Sequence, residues 1–238
     1  ATGSMNRNRI LKINSALKKA NEDANKVDSK TPLAQYEEGE STSALKVVKS
    51  AGIDPATGQE VFIKLNGERT FEYSADDKFV IGDTEPRFRG TVSTNLFYKG
   101  FSLYLLGRYE CGAYLYNTTR ATKVEGADPK KNADKRVFSS RWKNPGDKAK
   151  YKALETGRGS IETTNPTERF VQDYNVVTLN SITLGYDFDQ ELIKKAHLGM
   201  LRLEIGANDL LRISSVKAER GLSYPFARSV NFSIKATF

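Results

Sequence analysis

From residue 87 onward the chain alternates between apolar and polar positions. Phe88, Gly90, Val92, Thr94, Leu96 and Tyr98 fall on one side of an extended chain, and Arg89, Thr91, Ser93, Asn95 and Phe97 on the other, because successive strand side chains point to opposite faces. After Lys99-Gly100 a second run begins at Phe101 and continues to Tyr116, so two long strands share one tight turn. Ile182, Leu184, Tyr186 and Phe188 alternate with Ser181, Thr183, Gly185 and Asp187, and Leu201, Leu203, Ile205 and Ala207 alternate with Arg202, Glu204, Gly206 and Asn208. The last strand is the cleanest, with Val230, Phe232, Ile234, Ala236 and Phe238 on one face and Asn231, Ser233, Lys235 and Thr237 on the other. Upstream, Ile10, Leu11, Ile13 and Leu17 among Lys and Arg predict a short amphipathic helix from Asn6 to Ala20, ended by Pro32 and Gly39. Asp54-Pro55-Ala56-Thr57-Gly58 has turn chemistry. Val61 to Leu65, Asn66-Gly67 and Thr70 to Tyr73 predict a hairpin.

Strands of about ten residues with one apolar face fit a large β-sandwich or a transmembrane barrel, whose spans need about 9–11 residues. The connections separate the two. They run short at Lys99-Gly100, long at about 117–173, short at about 189–198 and long at about 209–227, which is the alternation of periplasmic turns and outer loops in an outer-membrane barrel. Tyr98, Phe101, Tyr186, Phe188 and Phe238 gather at the strand ends beside the short turns, where an interfacial aromatic girdle belongs. No run approaches the roughly 18 consecutive apolar residues of a membrane-spanning helix, a test that leaves strand-built spans untouched. Mean hydropathy of -0.54 decides nothing, since alternation dilutes it.

Composition narrows the chemistry. The 238 residues correspond to one or two domains, and Lys plus Arg number 37 against 29 Asp plus Glu, a formal charge of +8. Between Arg120 and Lys152 eleven basic residues face four acids, so this stretch holds nearly all of the excess. Its simplest reading is a solvated loop; the competing one is a soluble basic β-domain that binds RNA or an anionic polymer. One Cys, Cys111, and one His, His197, exclude a disulfide framework and any multi-Cys zinc site, and nothing near either in sequence activates it. Glu37-Glu38 and Asp76-Asp77 are adjacent pairs that point apart on an extended strand, and Gly157-Arg158-Gly159 lacks the rest of a phosphate loop. The expectation is no enzyme, no catalytic, cofactor-binding or metal residue, and no cofactor. Ala1 to Met5 lacks the order of a signal peptide, so either the chain is cytoplasmic or its true start lies upstream.

Specific strings carry more. Glu38 to Ser43, Gly52 to Gly58, Gly82 to Gly90, Tyr98 to Leu103, Arg141 to Asp147, Leu179 to Tyr186, Asn208-Asp209-Leu210 and Tyr224 to Arg228 resemble, in order, blocks of the C-terminal barrel of SusC/RagA-like TonB-dependent outer-membrane transporters. The resemblance runs from about residue 5 to 238, with two departures: Glu110-Cys111-Gly112 where a lipid-spanning strand is expected, and Asp209, which intrudes in an Asn-Leu pair. It implies an all-β fold: an antiparallel transmembrane β-barrel of the plugged, 22-stranded type, present here as an incomplete C-terminal portion of about six to eight strands with long extracellular loops and a short N-terminal helix. Residues 1–86 then form an extracellular loop region with the helix and hairpin, and 87–238 the barrel strands. The resemblance further implies TonB-coupled import of glycans or peptides with a SusD-like surface lipoprotein. TonB would engage through a missing N-terminal region, and the remainder of the barrel, the plug and outer-membrane lipid would be the other partners, with no nucleic acid. Lipid would meet Ile182, Leu184, Leu201, Leu203, Ile205, Val230, Phe232 and Ile234. Ser181, Thr183, Arg202, Glu204, Asn208, Asn231 and Lys235 would face the lumen, either packed against the plug and hydrated or touching substrate. Trp142 and Tyr151 are candidate outer-loop contacts for sugars or the lid protein, or else loop anchors. Phe238, an aromatic C-terminus after an alternating strand, resembles the signal read by the outer-membrane assembly machinery.

Overall fold

The structure is a computed structural model that describes residues 1–26, 29–127, 134–154, 164–195, 197–216 and 228–238. In chain order its principal elements are β1 (Thr2–Ser4), α1 (Ser15–Lys26), β2 (Ala44–Ile53), β3 (Glu60–Ile63), β4 (Arg69–Thr70), β5 (Lys78–Asp83), β6 (Phe88–Tyr98), β7 (Phe101–Tyr116), β8 (Val171–Asp187), α2 (Gln190–Lys194), β9 (Met200–Ser214) and β10 (Ser229–Thr237). They fall into two compact units: Ala1–Asn6 with Pro86–Gly112 and Tyr174–Phe238, and Arg7–Glu85 with Ala113–Asp173.

The first unit is built on a six-stranded sheet ordered β1-β6-β7-β8-β9-β10. β6 and β7 pair from Tyr98↔Phe101 to Phe88↔Cys111 across the expected turn, where Lys99 and Gly100 both take positive φ, 45° and 83°, as a two-residue hairpin that matches strand twist requires. Partners across an antiparallel ladder share a face, so the registers fix both faces. Val230, Phe232, Ile234 and Ala236 lie opposite Ala207, Ile205, Leu203 and Leu201, which lie beside Ile182, Leu184 and Tyr186. Tyr186 packs against Phe101 with ring centroids 4.5 Å apart and the planes tilted by 45°, which brings Leu96, Leu103 and Tyr98 onto the same face. Phe232, Ile234, Ile205 and Leu96 are all exposed on it, a broad apolar surface of the kind a lipid-facing wall presents. The opposite face carries Arg202, Glu204, Asn208, Asn231, Ser233 and Lys235, with Ser102 joining them through Arg202.

Two details of this unit differ from the pattern-based expectation. The turn at about 189–198 contains α2, whose first turn is capped by Asp189 accepting from the Glu191 backbone N–H at 2.9 Å. β9 also runs on to Ser214 rather than ending near residue 209. Asp209 adopts a left-handed φ of 52°, the register shifts between Leu179 and Ser181, and pairing resumes at Leu179↔Leu211. The intruding residue is absorbed as a β-bulge, and the strand continues.

The second unit packs a four-stranded sheet, β4-β3-β2-β5, against residues of the long connection between β7 and β8. Val47 and Val48 in β2 and Phe170 are fully buried, and Leu45, Tyr116, Ala121, Val124 and Tyr151 complete the core. The helix predicted for Asn6 to Ala20 forms at Ser15–Lys26 instead. Asn14 caps it, accepting from the Leu17 N–H at 2.9 Å. Ile10 is held extended by backbone bonds to Glu40 and Gly39, and Ile13 donates to Glu38, so tertiary pairing outbids helix formation there. The Asp54–Gly58 turn closes as read, with the Gly58 N–H on the Asp54 carbonyl at 2.8 Å. The hairpin also forms, although β4 is only Arg69–Thr70.

Candidate functional site

On the polar face of the six-stranded sheet, Arg202 stands at the centre of a ladder that crosses β7 to β10. Its guanidinium donates to Asp187 at 2.8 Å, to Glu204 at 3.2 Å and to the Ser102 hydroxyl at 2.8 Å, and Lys235 approaches Glu204 at 3.8 Å. Gly185 makes room: a Cβ there would lie 2.6 Å from both the Arg202 guanidinium and Ser102 Oγ. Asn208 donates to Ser229 at 3.2 Å, and the Asn231 amide lies beside Gly206. The structure thus brings Arg202, Glu204 and Lys235 together, with Asn208 and Asn231 on the same face farther along the strands.

Beside the Asp209 bulge the sheet forms a half-open cavity of about 350 Å³, lined by Arg108, Glu110, Tyr174, Val176, Thr178, Asn180, Asp209, Leu211 and Arg212. None of these was singled out from sequence as a binding residue, although Glu110 and Asp209 had already marked themselves as departures from the family pattern.

In the second unit Trp142 donates its indole N–H to the Pro55 carbonyl at 2.8 Å and covers Gly58, where a Cβ would meet its ring at 2.5 Å. Tyr151 is 7% exposed; its hydroxyl accepts from Arg120, and its backbone carbonyl accepts from the Trp142 N–H. In the described part of the basic stretch Lys123, Lys135, Lys143, Lys148 and Lys150 are exposed, whereas Arg141 and Lys152 are buried. Arg141 is buried and donates to the carbonyls of Val137, Lys152, Val124 and Glu125; burial lowers its pKa, against the pull of Glu125. Arg136 pairs with Asp134 at 2.6 Å. Lys130, Lys131, Gly157-Arg158-Gly159 and the Tyr224 to Ala227 part of the last block lie outside the described residues.

Arg169 organises the same layer. It is flanked by Glu60 and Glu125 in two bidentate pairs, with N···O distances of 2.6, 2.6, 2.8 and 2.7 Å, and its last N–H donates to the Lys150 carbonyl at 2.8 Å. All five guanidinium protons are used. Burial opposes its charge, but the hydrogen bonds and attraction of the two carboxylates outweigh that and raise its pKa. A second cavity, about 270 Å³, is lined in part by Asn25, Tyr73 and Lys78, and burial lowers the Lys78 pKa. Among the described residues no group of three or more His, Cys, Asp or Glu side chains could hold a metal ion, and no helix is long and apolar enough to cross a membrane. Phe238 is 95% exposed, one residue beyond β10.

An antiparallel sheet with one exposed apolar face, one polar face, short turns at one end and long connections at the other defines the wall of a transmembrane β-barrel, left open within these residues. No family model matches the chain. Two TonB-dependent receptors of Formosa agariphila, P39 and P3, are each 27% identical to it, over 152 and 158 residues; the matches cover 63% and 66% of this chain but only 14% and 15% of those receptors. Among solved structures, the RagAB peptide transporter superposes with a TM-score of 0.63 at 21% identity, over 77% of this chain and 20% of that one. The RagAB peptide importer in its open-open state gives a TM-score of 0.67 at 20% identity, over 82% of this chain and 22% of that one. The chain is therefore SusC/RagA-like: it resembles TonB-dependent receptors, a class of Gram-negative outer-membrane β-barrel proteins, and it spans about a seventh of the length of the curated relatives it matches.

Proposed function

We propose that these residues form part of the barrel wall and outer loop layer of a TonB-dependent importer of glycans or peptides. The observation that carries the reading is the two-faced sheet: an exposed apolar band from Val92 to Ile234, backed by the Arg202 ladder, on a fold shared with a peptide importer. In this reading Phe232, Ile234, Ile205 and Leu184 meet lipid. Arg202, Glu204, Asn208, Asn231 and Lys235 line the lumen, where the ladder stitches four strands and leaves the remaining polar groups to a plug or to substrate. Residues 7–85 and 113–173 form the outer layer, in which Trp142 and Tyr151 anchor the loops, and the exposed Phe238 serves as the assembly signal. The wall carries out no chemical step. A SusD-like lipoprotein delivers the substrate, and TonB acts through parts of the transporter beyond these residues.

The test is growth on a set of glycans and peptides as sole nutrients by the source bacterium, with and without the gene, and with and without a functional TonB. Loss of one nutrient class in both deletions is the expected result. Unimpaired growth on every nutrient that depends on TonB would remove the import reading.

The basic β-domain reading would draw on the exposed Lys123, Lys135, Lys143, Lys148 and Lys150, while Arg136 and Arg141 are engaged within the fold.

A further inference from the structure

The cavity of about 270 Å³ lies wholly within the second unit. Separate segments build it: Asn25 and Lys26 at the end of α1, Tyr73 and Lys78 leading into β5, and Asn165 and Pro166 ahead of β8. Its volume sits just below the roughly 300–1,000 Å³ range of drug-sized sites, which suits a small guest.

Lys78 is the group that gives the cavity its chemistry. Its amine donates to Asn25 Oδ1 at 3.0 Å and to Gln35 Oε1 at 3.5 Å, both neutral amide oxygens. Those amides are fixed in turn. Gln35, 8% exposed, donates to Asn25 Oδ1 and to the Asn21 carbonyl, and the Asn25 amide donates to Asp76 at 3.4 Å. An ammonium carries three N–H groups, so one is left over. Among the described residues no carboxylate lies within ion-pair distance of Lys78. Burial lowers its pKa, Asp76 pulls the other way, and Lys46 adds to the fall. A half-buried cation that meets only neutral acceptors is stabilised by any anion that reaches it.

The rest of the lining selects the kind of anion. Its described residues include Lys26 and Lys78 and no Asp or Glu, and Lys26 is exposed and already paired with Asp23 at 3.3 Å. One inner ammonium matches a single negative charge. The Asn165 side chain makes no hydrogen bond among the described residues, so its amide N–H groups remain for a second oxygen. Leu33, Pro166 and the Tyr73 ring add apolar surface beside these donors.

We propose that this cavity binds a small carboxylate with a compact apolar body, held by Lys78 and Asn165. The site shares no residue with the lipid and lumen faces of the sheet, so it does not depend on the import reading.

The experiment is calorimetric titration of the full-length protein, purified from outer membranes, with benzoate and with benzamide, its neutral counterpart. Benzoate should bind roughly tenfold or more tightly than benzamide, and Lys78→Gln should remove that difference. Asn165→Ala, which breaks no bond within the described fold, should weaken benzoate about threefold. Affinity should also fall as pH rises through the Lys78 pKa, because the ammonium is lost while the carboxylate stays charged. Each variant is scored only where residues 113–173 resist protease as in the parent. Glycyl-glycyl-phenylalanine, with a free or an amidated C-terminus, separates the two sources of such a carboxylate. Binding of benzoate without the peptide assigns a free acid, and tighter binding of the free-acid peptide than of benzoate assigns a chain terminus. Equal affinity for benzoate and benzamide, tighter binding of phenyl phosphate than of benzoate, no binding of either carboxylate, or benzoate affinity unchanged in a folded Lys78→Gln variant overturns the site.

Discussion

Ile234→Arg tests the face assignment most directly. β10 spans nine residues, Ser229–Thr237. At about 3.3 Å per residue and a tilt near 40°, it rises roughly 23 Å, close to the roughly 25 Å apolar band of an outer-membrane barrel. Ile234 is one residue from the strand's middle, so it lies about 3 Å from the midplane on the same estimate. It is 61% exposed on the apolar face, opposite Leu203. An arginine at that depth costs about 2–4 kcal/mol, and the central position favours the upper half of that range. At 1.4 kcal/mol per factor of ten, this is roughly a 30- to 700-fold shift of the assembly equilibrium. Lys235 is the internal comparison. Its amine reaches Glu204 at 3.8 Å and its side chain is 58% exposed, so Lys235→Ala should cost less than about 1 kcal/mol. The assay is urea-dependent heat-modifiable migration of the full-length transporter from outer-membrane fractions. The expected result is a large fall in the urea midpoint, or loss of the folded band, for Ile234→Arg alone. Equal midpoints for the two variants would show that the two faces are not lipid and lumen.

Other perturbations address separate parts of the fold. Arg169→Met leaves Glu60 and Glu125, 2% and 0% exposed, as buried uncompensated charges, and should destabilise the outer layer by about 3–5 kcal/mol, read as accelerated proteolysis of residues 113–173 with the barrel band intact. Phe170→Ala empties a fully buried site and should cost about 3–5 kcal/mol by the same readout. Gly185→Val drives a side chain into Arg202 and Ser102 and should lower the urea midpoint, whereas Gly146→Val, at a position with nothing within 4 Å of its added Cβ, should leave the barrel band unchanged despite local strain. Hydrogen bonds from Arg136 hold the Asp134 carboxyl down to about 2 from 3.8. Because the folded pKa is the lower one, the stabilisation from this pair is complete above about pH 4 and fades as pH falls toward 2. Asp134→Asn should abolish that acid-limb change in protease resistance of the loop layer.

Much of the barrel wall was readable because a period of two residues combined with a one-sided environment leaves little ambiguity. Val230 to Ala236 and Leu201 to Ala207 needed only alternation, and Lys99-Gly100 gave the turn. The polar ladder was readable as a set of residues but not as a network. Alternation says that Arg202 and Lys235 share a face, while their meeting at Glu204 depends on a register no single strand encodes. The start of α1 was misplaced because Ile10 and Ile13 have helical spacing, yet their backbone groups are taken by Gly39, Glu40 and Glu38, some 25 to 30 residues away. The outer layer was least legible. A count of Lys and Arg cannot distinguish solvated cations from Arg141 and Arg169, whose donors are consumed by carbonyls and carboxylates gathered from separate segments.

The Asp209 bulge divides the sheet into two regimes. On the short-turn side Ser102, Asp187, Arg202, Glu204 and Lys235 bond one another, so the charges needed to keep that face wet also tie neighbouring strands together. On the long-connection side the slipped register separates β8 from a regular ladder to β9, and charged groups of both signs surround an open volume. The bulge changes the spacing of the backbone as well as the chemistry it presents. Deletion of Asp209 should therefore restore a regular ladder between β8 and β9 and leave the Arg202 ladder in place. Heat-modifiable migration like that of the parent protein is the expected result, and loss of the folded band in the deletion variant would show that the wall depends on the bulge.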